Sequence, residues 1–98
     1  LDGFVDGTQP LHRRDTYRLW TEVKTTEYAA LKDAARRGKR SVLDRYGATN
    51  EAEFFAVATE TFFEKPVQLQ RKHESLYNLL QTYYRQDPVE RLRRMATG

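Results

Sequence analysis

The side chains with which this chain could do chemistry gather between positions 44 and 66, in the run DRYGATNEAEFFAVATETFFEKP. Glu53, Glu60 and Glu64 recur there at spacings that place them on one side of a helix, and Tyr46 stands seven residues ahead of Glu53. Local spacing also gives Glu53 a structural task. With Asn50 as the helix N-cap, Glu53 is the third helical residue, from which a carboxylate reaches back to the cap amide and favours the positive end of the helix dipole. On that reading Glu60 and Glu64 are a solvated stripe, and Tyr46 is a tyrosine packed at a turn.

The elements that must carry these residues follow from the same stretch. Gly47 breaks the chain, and Thr49 and Asn50 offer capping oxygens just ahead of strong helix formers. The spacing predicts a central helix over residues 50–64. Its apolar face is Phe54, Phe55, Ala58 and Phe62, and Glu53, Val57, Glu60 and Glu64 fall on the opposite side. Pro66 ends the helix and can open a short one, with Val67 and Leu69 facing inward.

The chain's ordered matches point to a family. The run Tyr46-Gly47-Ala48-Thr49-Asn50-Glu51-Ala52-Glu53-Phe54-Phe55-Ala56-Val57, then Glu60, Phe62-Phe63-Glu64 and Tyr83-Tyr84-Arg85-Gln86-Asp87-Pro88, resembles the C-terminal half of the Mlc titration factor family. The opening Leu1-Asp2-Gly3-Phe4-Val5-Asp6-Gly7 resembles the segment that follows the HExxH helix in that family. Its members are bacterial zinc metallopeptidases of the HExxH-plus-Glu, or gluzincin, type, with an active-site layout similar to that of anthrax lethal factor. The resemblance implies that Glu53 is the glutamate ligand to zinc and Tyr46 the active-site tyrosine that donates to an oxyanion. It makes Glu60 a recurrent glutamate with a supporting or structural role. It also implies a peptide substrate, a transcriptional repressor as protein partner and a cytoplasmic location.

One departure from the family limits what the chain can do alone. It contains no HExxH, and its two histidines, His12 and His73, are far apart, neither having a second histidine four residues away. The general-base glutamate of that motif is missing with them. The expectation is therefore a fragment that is inactive in isolation and binds no zinc tightly, whose partner is the missing N-terminal half of the peptidase domain. An apolar surface left exposed by that missing half would favour docking or homodimerisation. The alternative is a non-catalytic basic helical module that binds a protein or nucleic acid.

Composition bounds these readings. The 98 residues suffice for one domain with a modest core. No apolar run is long enough to span a bilayer, and no signal-peptide pattern opens the chain. Cysteine is absent, which excludes disulfides and suits a reducing compartment. Residues 12–40 carry nine Lys and Arg against four acids, but these are spread around a helix without interleaved aromatics, which favours a solvated face over a nucleic-acid stripe.

The fold class expected is mainly α, an open arrangement of four or five helices with little or no strand, as in the C-terminal part of a gluzincin-like domain. Residues 1–14 read as loop, where Asp2 and Asp6 lack the oxygen pattern of a calcium loop. Residues 15–37 form the longest helix candidate, capped by Asp15 or Thr16, open to a kink at Thr25–Thr26 and stopped at Gly38. Residues 38–49 form a site-like loop, with Val42 and Leu43 in an extended stretch or a very short strand. Residues 66–98 continue as helices. One covers 74–85, with Leu76, Leu79, Leu80, Tyr83 and Tyr84 on its apolar side. Its tyrosines are expected in the core, not as a base-stacking platform. His73 is expected at the surface, and Asp87-Pro88 starts a short basic helix whose Val89, Leu92 and Met95 can fold back.

Overall fold

The computed structural model describes residues 13–97. Along them run α1 (Arg13–Arg36), a single 3-10 turn (Arg45–Ala48), α2 (Glu51–Glu64), α3 (Pro66–Lys72), α4 (Glu74–Tyr84) and α5 (Pro88–Thr97). No strand occurs among the described residues, so Val42 and Leu43 belong to an irregular connection. The loop expected at the start of the chain, with Asp2 and Asp6, lies outside the described residues up to position 12. Residues 13 and 14 are already helical, so α1 begins ahead of Asp15 and Thr16.

Each boundary has a local cause. Gly38, in the left-handed region at φ 69°, closes the turn that follows α1, and its amide and that of Lys39 reach back to the carbonyls of Ala35 and Ala34. The adjacent Thr25 and Thr26 do not interrupt α1. Asn50 is extended and caps α2. Lys65 terminates α2 and, through Pro66 at the first helical position, begins α3 without an intervening loop. Asp87 Oδ1 accepts the Glu90 amide and so caps α5.

The core joins α1, α2, α3 and α4 through Leu31, Phe54, Phe62, Leu69, Leu76, Tyr77 and Leu80, with Leu43 contributed by the connection. One side chain differs from the face expected of it. Val57 is buried instead of lying with the carboxylates, because the 3-10 turn packs Gly47 against it. Phe55 is half-buried, its ring edge-to-face with Trp20 at 5.4 Å and with Tyr83 at 6.0 Å.

Further along, Leu69 is buried as expected but Val67 is exposed. On α4, Tyr77 takes the fully buried place, whereas Tyr83 is exposed and Tyr84 half-buried. On α5, Val89 is buried while Leu92 and Met95 remain exposed. The radius of gyration is 14.6 Å, larger than the roughly 13 Å of a compact chain of 100 residues. Extents of 45 × 38 × 17 Å describe the open arrangement of helices.

Candidate functional site

Tyr46 and Glu53 are carried by two consecutive, tightly specified pieces of backbone. Asp44 is extended, its carboxylate Oδ1 accepts the Tyr46 amide at 2.8 Å, and its carbonyl accepts the Gly47 amide at 2.9 Å. The carbonyl of Tyr46 accepts the amide of Thr49 at 3.1 Å, which closes the turn. One residue later Asn50 Oδ1 accepts the Glu53 amide at 2.9 Å and opens α2.

Gly47 fastens the turn to the helix. It is buried, and a Cβ added there would stand 3.1 Å from both Leu31 Cδ2 and Val57 Cβ. Any larger residue would push the turn off α1 and α2 together. Tyr46, next to it, is left 57 % exposed, and its hydroxyl has no hydrogen-bond partner among the described residues.

The capping box is half made. Asn50 caps the Glu53 amide, but the Glu53 carboxylate returns no hydrogen bond and forms no ion pair with any described residue. It is nonetheless half-buried. The neighbouring carboxylate of Glu51 is engaged instead, with Lys24 Nζ of α1 at 3.0 Å. Glu60 and Glu64 are exposed and line a cavity of about 380 Å³ together with Asp44 and Lys65.

His73 departs from its expected surface position. It joins α3 to α4, is largely buried, and its Nδ1 lies 2.8 Å from Glu27 Oε1 on α1. No sequence signal links two residues 46 positions apart; the pairing exists because α1 packs along α4. Asp44 is the other residue not singled out from the sequence as a positioning group. An Asp two residues before the turn's Tyr-Gly is a recognisable turn-forming signal.

The donor set decides how a metal would fit. Among the described residues no three His, Cys, Asp or Glu side chains converge to hold an ion. His73 is committed to Glu27, and Glu53 is a single unengaged carboxylate. His12 lies outside the described residues. The described side chains therefore offer one donor and do not form a metal site by themselves, since a catalytic zinc site draws three ligands from the protein.

Comparison with known proteins agrees with the ordered matches of the sequence. An uncharacterized protein of Synechocystis sp. is 44 % identical over 88 residues, which are 90 % of this chain and 32 % of that protein. Mlc titration factor A of Edwardsiella ictaluri is 32 % identical over 91 residues, 92 % of this chain and 35 % of the relative. Mlc titration factor A of Yersinia enterocolitica is 44 % identical over 52 residues, 53 % of this chain and 20 % of the relative. The chain thus spans about a third or less of the length of these relatives. No solved structure matches it significantly. The sequence model of the glucose-regulated metallo-peptidase M90 family matches residues 1–85, and the chain belongs to that family.

Proposed function

We propose that this chain is the part of a cytoplasmic zinc-dependent peptidase that supplies one metal ligand, Glu53, and one active-site phenol, Tyr46. The observation that carries the reading is the state of Glu53. A carboxylate in a capping position that is half-buried, uncapping and unpaired is available for another bond, while Asn50 alone serves the helix start. Membership of a metallo-peptidase family supports the same assignment.

Zinc in such a site supplies a Lewis acid and an acidified water. The chain's own residues then have separable tasks. Glu53 offers a carboxylate oxygen from a fixed first helical turn. Tyr46, on a turn locked by Asp44 and Gly47, has a hydroxyl free to donate to a developing oxyanion. Glu60, exposed two turns beyond Glu53, is proposed as a supporting group and not as a ligand. Since the described side chains provide one donor, the chain by itself is expected to hold no zinc tightly and to cleave nothing. Its partners on this reading are the rest of the peptidase domain and a peptide substrate.

The test uses the complete protein in which this chain occurs. Glu53→Gln is expected to remove bound zinc, measured by elemental analysis, and peptide hydrolysis with it, while the circular dichroism spectrum is unchanged. Tyr46→Phe is expected to keep the zinc and lose much of the turnover. Full zinc content in the Glu53→Gln protein would overturn the reading in favour of a non-catalytic helical module. Against that alternative stands the pairing of many basic residues: Lys24 bonds Glu51, and Arg36 and Arg37 both bond Asp33.

A further inference from the structure

A cavity of about 550 Å³ opens where the second half of α1, the connection before the 3-10 turn and the α3–α4 junction meet. Neither Tyr46 nor Glu53 lines it. Its floor is apolar, built on Leu31 and Val42, and the Glu27–His73 pair forms one side. Two cations line it as well, Arg40 and Lys72. Both are exposed, and neither has a carboxylate partner among the described residues, unlike Lys24, Arg36 and Arg37 nearby in the chain.

The geometry points to a binding site for a small organic monoanion, a carboxylate carried on a short apolar body. A guanidinium forks onto a carboxylate in a bidentate pair, and an ammonium adds a point charge beside it. The apolar floor accepts the body of the ligand, which matches the usual division of a small-molecule site into an apolar lining and a few polar anchors. The lining fixes the class further. Glu27 is engaged with His73 in the same cavity, which leaves Arg40 and Lys72 to meet the ligand's charge, and phosphate, having no apolar body, gains nothing from the rest of the lining. Such a carboxylate belongs either to a free aliphatic acid or to the C-terminus of a peptide.

The site can be tested on the full chain by titrating hexanoate into the ¹⁵N-labelled protein and following amide shifts. Saturable shifts are expected at Ser41, Val42 and His73, with hexanol and inorganic phosphate producing none. Replacing both cations, Arg40→Gln with Lys72→Gln, should weaken hexanoate roughly tenfold or more, the scale of losing charge-assisted hydrogen bonds. Both positions are exposed, so the fold is retained. A parallel titration compares a tetrapeptide bearing a free C-terminus with its amidated form. Tighter binding of the free-acid peptide than of hexanoate identifies a peptide end, and the reverse identifies a free acid. No saturable shift with hexanoate or the free-acid peptide would overturn the inference. So would equal binding of hexanol, or binding that survives loss of both cations.

Discussion

The Tyr77 hydroxyl ties the last helix to the fourth: it donates to Asp87 Oδ1 at 2.6 Å and accepts the Val89 amide at 3.0 Å. The same Asp87 oxygen caps α5 at the Glu90 amide, and Gln81 donates to the other carboxylate oxygen at 3.3 Å. One fully buried phenol therefore satisfies a buried amide and orients the cap of α5. Tyr77→Phe should cost about 1–3 kcal/mol, because it leaves the Val89 N–H buried without an acceptor. Urea unfolding measures this, and amide exchange should show α5 loosening before the rest.

The same phenol predicts a response to alkali. Burial, and after it the hydrogen bond to Asp87, push the Tyr77 pKa up from 10.0 to about 12. The folded state thus holds the proton to higher pH than the unfolded chain does. The stabilisation is complete below pH 10, falls at about 1.4 kcal/mol per pH unit above it, and is lost beyond the folded value. Stability measured from pH 9 to 12 should decline more in the natural chain than in Tyr77→Phe.

Gly47 should tolerate no side chain. An added Cβ would crowd Leu31 and Val57 at 3.1 Å, so Gly47→Ala is expected to cost about 1–3 kcal/mol through overpacking. Thermal unfolding reads the loss. Because the strain falls on the turn that carries Tyr46, the amide shifts of residues 44–49 should move together.

Asn50 and Glu53 should separate cleanly in stability. Asn50→Ala removes a made cap and is expected to cost about 1 kcal/mol. Glu53→Ala removes a side chain with no described partner and should cost about 0.5 kcal/mol or less, the residue of its interaction with the helix dipole. Equal losses in denaturant would show that Glu53 does serve the cap.

What the sequence made legible was whatever a few neighbouring residues decide. Asn50, Pro66, Gly38 and Asp87-Pro88 mark their boundaries by local chemistry, and the helices lie where those marks put them. What it concealed depends on contacts between distant segments. Val57 lies opposite Phe62's face in the sequence pattern, yet a loop glycine covers it. His73 has no neighbour to suggest Glu27, and Tyr83 follows the apolar spacing of α4 yet stays mostly exposed, touched at its edge by Phe55 and Tyr84. For the candidate site, spacing alone gave Glu53 a capping role. The unreturned hydrogen bond is a three-dimensional fact.

At its thinnest the molecule measures 17 Å, about the depth of two packed helices. A body so shallow holds its fully buried side chains, Phe54, Phe62 and Tyr77 among them, directly beneath a helix, and every helix has an exposed face. Solvent then reaches a protected amide when one neighbouring helix lifts away, without the whole chain opening. Hydrogen exchange should accordingly be graded helix by helix, slowest in α2, which is shielded by the turn, α3 and α4, and fastest in α5.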